Sequence, residues 1–125
     1  MPTSHKKRRW KPKASVLKKY NIELSDGFLI VAEYQWVPGK MTDFALILIR
    51  PKEQRDGFHM ICRYDTAHDF AHLDLLDSEG KVMEKMAVPG ITSYKAAFTY
   101  AQDDLKKNHQ WYWQKYLEAS PEERP

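Results

Sequence analysis

The feature that most limits what this chain can fold into is a succession of short β-type segments from Tyr20 to Val88, each closed by a turn signal. YNIEL (20–24) runs into Ser25-Asp26-Gly27, and FLIVAEYQWV (28–37) runs into Val37-Pro38-Gly39-Lys40. TDFALILIR (42–50) is almost continuously apolar and reads as a central strand. FHMICRY (58–64) alternates, with Phe58, Met60, Cys62 and Tyr64 on one side and His59, Ile61 and Arg63 on the other. HLDLLD (72–77) and KVMEKMAV (81–88) flank Asp77-Ser78-Glu79-Gly80, a hairpin turn signal. ASVLKK (14–19) reads as a lead-in or a short helical turn.

The period changes after Pro89-Gly90. Thr92 or Ser93 supplies a helix cap, and Tyr94, Ala97, Phe98, Ala101, Leu105, Tyr112 and Tyr116 then recur at helical spacing to about Leu117. That is one apolar stripe, enough to cover one face of a sheet. The expected fold is α+β: a mostly antiparallel sheet of about five strands with one long C-terminal helix packed on one face. The other face should then be open, which antiparallel sheets tolerate. The expected division is a disordered basic arm at 1–13, a single domain at 14–118 and a polar tail at 119–125.

The net charge of +3 hides a division. Residues 5–19 hold eight of the twenty basic residues and no acid, which leaves twelve basic against all seventeen acidic residues elsewhere. In the arm, Lys6, Lys7, Arg8, Arg9, Lys11 and Lys13 suit a phosphate backbone, and Trp10 offers a stacking face. RNA or another nucleic acid is the partner this chemistry suits, against the plainer reading of a solubilising terminus. The longest apolar run, FALILI (44–49), is the length of one strand and far short of a bilayer span. No signal-peptide pattern follows the basic residues, so a cytoplasmic protein without membrane contact is expected. Cys62, the single cysteine, excludes an internal disulfide and reads as a buried structural thiol.

Chemistry concentrates in ICRYDTAHDFAHLDLLD (61–77). If Phe58, Met60 and Cys62 face the helix, His59 and Arg63 face the open side. If Leu73 and Leu75 point inward, His72 and Asp74 share that open side, with His68 and Asp69 on the loop at its edge. Histidine suits general acid–base work near neutral pH, and arginine suits a phosphate. Metal-independent RNA cleavage would use His68 or His72 as base and acid, Arg63 as phosphate clamp and Asp65 to orient a histidine. His59 completes this candidate set, and no cofactor is required. The plain alternative is a solvated cross-strand histidine pair with an ordinary Arg63–Asp65 ion pair. A third reading makes Asp65, His68, His72 and Asp74 a mixed nitrogen and oxygen metal site.

The string Arg63-Tyr64-Asp65-Thr66-Ala67-His68, followed by His72 entering a strand, a D-x-x-G turn and a closing helix, resembles TumE-type toxins of toxin–antitoxin modules and related small prokaryotic domains. Thr66 stands where those toxins tend to carry Asn. The resemblance covers about residues 44–116 and implies a toxin-like activity on RNA, with an antitoxin-like protein partner that restrains it.

The helix end NHQWYWQKY (108–116) adds a second surface. Trp111 and Trp113 lie roughly 200° apart around a helix, so at least one is expected to leave the core. Two functions therefore follow from the sequence. One is a nucleic-acid-directed endoribonuclease. The other is a non-catalytic module that docks a protein or nucleic acid through its open sheet face, basic arm or Trp-rich helix.

Overall fold

A computed structural model describes residues 15–67, 70–88 and 93–123. The strands are β1 (Val16–Glu23), β2 (Leu29–Val37), β3 (Lys40–Pro51), β4 (Phe58–Asp65), β5 (His72–Leu76) and β6 (Val82–Ala87). They form one six-stranded sheet in chain order, antiparallel throughout. One helix, α1 (Tyr94–Glu118), lies across β3, β4 and β5. The α+β architecture is therefore the one the sequence implies; its six strands match the six β-type segments, against an expected sheet of about five. β1 starts earlier than its segment. Val16 to Lys19, expected as a lead-in, pair residue by residue with β2 from Trp36 to Glu33 and are strand.

Local chemistry accounts for the joints. The β2–β3 turn places Pro38 before Gly39, whose φ of 80° is the left-handed value that a glycine in the third position of a tight turn supplies freely. At the β5–β6 turn the Asp77 carboxylate accepts from the backbone N–H groups of Glu79 and Lys81, both at 2.9 Å. Ser93 caps α1, accepting from Ala96 N–H at 3.1 Å. Ala97, Phe98, Ala101, Leu105, Tyr112 and Tyr116 are buried on the side of α1 that meets the sheet. Ile30, Leu46, Leu48, Ile61 and Cys62 are fully buried with them. Trp113 packs at the core edge, while Trp111 is 51% exposed, so the pair does divide between core and solvent.

Two irregularities matter for the site. The β3–β4 register shifts so that Leu48 pairs with Cys62 and Ile49 with Met60, leaving Ile61 as an extra residue. This β-bulge turns the alternation over. His59, Ile61, Cys62 and Tyr64 are all buried on the helix side, whereas Phe58 and Met60 are exposed. The second is a break in α1 at Asn108 (φ −119°, ψ 19°), whose side chain donates to the Asp104 carboxylate at 2.8 Å.

The polar tail does more than stop the helix. Ser120 is fully buried and its hydroxyl accepts from Ser78 N–H at 2.8 Å. Glu123 takes Arg55 through both carboxylate oxygens, at 3.0 and 3.1 Å, tying the β3–β4 connection to the chain end. Among the described residues no helix is long and apolar enough to cross a membrane.

Candidate functional site

The open face of the sheet gathers five ionisable side chains from β4, β5 and β6. The register sets Arg63 beside Asp74 and Asp74 beside Lys85, with Asp65 beside His72 in the next row. Arg63 Nη2 donates to Asp74 Oδ2 at 2.9 Å, and Lys85 Nζ lies 3.0 Å from Asp74 Oδ1. Arg63 Nε lies 3.2 Å from Asp65 Oδ2. His72 Nδ1 donates to the Phe70 carbonyl at 3.2 Å, which fixes the ring so that Nε2 points at the carboxylates. Nε2 is 3.0 Å from Asp65 Oδ1 and 3.7 Å from Asp74 Oδ2. Asp65 is itself held in place, because its Oδ1 accepts from Ala67 N–H and the neighbouring Thr66 hydroxyl accepts from Phe44 N–H.

Although α1 does not cover this face, His72 and Asp74 are each only 1% exposed. Arg63 and Lys85 lie against Asp74 from the flanking strands, and the Phe70 ring sits 5.2 Å from the imidazole. Burial works to raise the Asp74 carboxyl. The hydrogen bonds from Arg63 and Lys85, with the charges of His72 and Lys85, outweigh it and hold Asp74 below the usual carboxylate value.

The expected site residues thus divide. Arg63, His72 and Asp74 come together on the open face as the alternation implies, and Asp65, expected to orient a histidine, joins them there. His59 does not join them. The bulge at Ile61 carries its side chain to the helix side, where Nδ1 is 3.0 Å from the Tyr116 hydroxyl and the ring packs edge-on against Trp113 and Tyr116. His68 and Asp69, and the whole arm from Lys6 to Lys13, lie outside the described residues. Cys62 is fully buried, and burial pushes its thiol up, as befits a structural cysteine.

Chemically, Asp65, His72 and Asp74 place three ligand atoms within 4.8 Å of one another, a mixed nitrogen and oxygen set. Arg63 and Lys85 already neutralise these carboxylates, so a divalent ion would have to displace both. The two carboxylates in turn hold Arg63 towards protein acceptors rather than towards a phosphate.

His59 titrates against a different background. Burial lowers its ring below the ordinary imidazole value; Glu123 opposes this, and Lys52, Arg55 and Arg50 reinforce it. A lowered value means that the unfolded chain binds the proton more readily. The contribution of His59 to stability is then complete above about pH 6.5 and is lost as pH falls below it, down to the folded-state value. Urea midpoints measured from pH 7.5 to 5 should fall with acidity in this window, and His59→Gln should flatten that dependence.

Three features escape a reading of the sequence alone. Lys85 completes the charge network and gives no local signal. Asp104 accepts from the buried hydroxyls of both Tyr64 (2.6 Å) and Tyr112, fastening α1 to β4. The third is a groove of about 470 Å³ between β1, β2 and α1, lined by Val16, Lys18, Tyr20, Tyr34, Trp36 and Lys95 among others. Lys95 Nζ stands 5.8 Å from the centre of the Trp36 ring, and Tyr20 is 38% exposed. The available signal was faint: Lys18 and Tyr20 two residues apart in one segment, and Tyr34 and Trp36 two residues apart in the next.

No curated protein and no solved structure matches the chain. A family model described as a domain of unknown function matches residues 6–122, nearly the whole sequence including most of the basic arm, and the chain belongs to that family, DUF7718.

Proposed function

We propose that this protein is a nucleic-acid-binding module rather than an enzyme, and that single-stranded RNA or DNA lies along the β1–α1 groove. The observation that carries this reading is the groove itself: exposed Tyr20 and half-buried Tyr34 and Trp36 lie between Lys18 and Lys95, at the point where the basic arm enters β1. Aromatic faces accept bases of any sequence, and the interleaved ammonium groups follow the phosphates. Residues 5–13 extend the same chemistry, and the matched family region takes in the arm from residue 6. The open-face network supports the binding reading from the other side. Its charges answer one another, and both ring nitrogens of His72 face protein acceptors.

The test is fluorescence anisotropy of a labelled single-stranded 12-mer with the full chain. Trp36→Ala should weaken binding roughly tenfold, the worth of about one stacked base. Affinity equal to wild type, with the fold intact by circular dichroism, would remove the groove.

One observation favours a second reading, a metal-independent endoribonuclease. The Asp65 carboxylate is aimed at His72 Nε2 with Arg63 beside it, the relation of an orienting acid to a histidine; for the ring to act as general base, Nδ1 would have to leave the Phe70 carbonyl to take the substrate's proton. The resemblance of residues 63–68 to TumE-type toxins points the same way, and a restraining antitoxin-like partner goes with it. End-labelled single-stranded RNA, incubated with and without EDTA beside His72→Ala, separates the two. Cleavage that survives EDTA and disappears in the variant would replace the binding reading.

A further inference from the structure

β1 is terminal in the strand order, and all but one of its eight residues are exposed. It holds no proline, and its pairing with β2 runs without a bulge. An edge of this kind is a template for another strand unless charge or shape prevents it. Its side chains specify which strand. Lys19, Asn21 and Glu23 stand on the open face, since the register carries Lys19 through Glu33 and Ala45 to Asp65, and Asn21 through Val31 and Ile47 to Arg63. Lys18, Tyr20 and Ile22 stand on the helix side.

We propose that two copies of this chain pair through β1 about a two-fold axis at Asn21, giving one continuous antiparallel sheet of twelve strands. In this register Asn21 faces Asn21 of the second copy. Lys19 faces Glu23, and Tyr20 faces Ile22, each twice by symmetry. Facing side chains in antiparallel strands share a side of the sheet, so two-fold registers must keep the two open faces together. Among those, a centre at Lys19 or Lys18 sets like charges against each other. A centre at Tyr20 pairs Lys19 with Asn21, and a centre at Ile22 leaves Lys19 beyond the strand of the other copy. Only the centre at Asn21 pairs Lys19 with Glu23. Within one copy Lys19 already lies 3.9 Å from Glu33, so dimerisation would place it between two carboxylates. Opposite charges directly across a strand pair stabilise that register, and like charges oppose it. Both α1 helices then lie on the same side, with the two β1 strands forming the floor between them. The pairing argument does not depend on what occupies that floor.

The decisive experiment is Asn21→Cys in the full chain under mild oxidation. Residues facing each other across an antiparallel pair are within disulfide reach, and buried Cys62 does not compete. A disulfide-linked dimer is expected for Asn21→Cys and not for Glu84→Cys on the opposite edge. Sedimentation should show a concentration-dependent dimer. Lys19→Glu should raise its dissociation constant about tenfold, and the charge-swapped Lys19→Glu/Glu23→Lys chain should return to near the wild-type value. A monomer at all concentrations, a dimer that does not cross-link through position 21, or a swap that fails to restore pairing would each overturn the proposal.

Discussion

Replacing Asp74 by alanine is expected to destabilise the protein by roughly 3 kcal/mol and lower its melting temperature by about 10 °C. Asp74 is 1% exposed and answers two cations at once, Arg63 at 2.9 Å and Lys85 at 3.0 Å. Removing one partner of a buried ion pair costs about 3–5 kcal/mol because the charge left behind has lost its hydration. The lower end applies here. Lys85 is close to half exposed and can turn to water, and Arg63 retains Asp65 at 3.2 Å. Urea denaturation reads the change. A second variant isolates its cause: Asp74→Leu combined with Arg63→Met removes both charges and should recover much of the loss, since apolar replacements of similar volume often match a buried pair. An Asp74→Ala protein within about 0.5 kcal/mol of wild type would show that the network contributes nothing to the fold. Acid should act in the same direction. Because the folded-state carboxyl sits below its unfolded value, the contribution of Asp74 is present above about pH 4 and is lost as pH falls further.

Deleting residues 1–13 should have the largest effect on nucleic-acid affinity. The segment removes Lys6, Lys7, Arg8, Arg9, Lys11 and Lys13 together. Each phosphate that a cation neutralises on a single strand contributes about 0.7 to the slope of log affinity against log salt, so six contacts amount to a slope of roughly 4. The truncated chain should therefore bind more weakly by more than about a hundredfold near 50 mM salt, with the difference shrinking steeply as salt rises. The slope itself must flatten. If affinity falls while the slope stays the same, the arm acts through something other than phosphates, and the groove must account for the electrostatics alone. Trp10 leaves with the arm; a Trp10→Ala chain of full length separates its stacking from the charge.

Much of the scaffold could be read without coordinates. The strand runs were visible because each ends in a residue pair with a defined backbone role, such as Pro38-Gly39. The stripe from Ala97 to Tyr116 fixed the buried side of α1 because helical spacing survives in the sequence. The open-face placement of Arg63, His72 and Asp74 was legible because two-residue alternation holds from Cys62 to Tyr64 and from His72 to Leu75. It fails at His59 because an inserted residue leaves no local mark: Ile61 is as suitable for a regular strand as for a bulge. Lys85 was hidden by a similar slip. Leu75 pairs with Glu84 but Leu76 with Val82, so counting outward from the Asp77–Gly80 turn sets the wrong residue opposite Asp74. The burial of His72 and Asp74 was illegible because it depends on side chains reaching across from strands whose registers were unknown.

The bulge at Ile61 gives β4 two reading frames joined by a frameshift. Downstream of it, even-numbered residues serve the core and odd-numbered ones, Arg63 and Asp65, serve the outer surface. Upstream the parity is exchanged, so His59 turns in towards Tyr116 while Phe58 and Met60 turn out. One strand thereby supplies the charge network at one end and an inward histidine at the other. Loss of this single residue would exchange two exposed apolar side chains with a buried imidazole. For a protein of this kind, the length of the strand is as much a determinant of its surface chemistry as the identity of its residues.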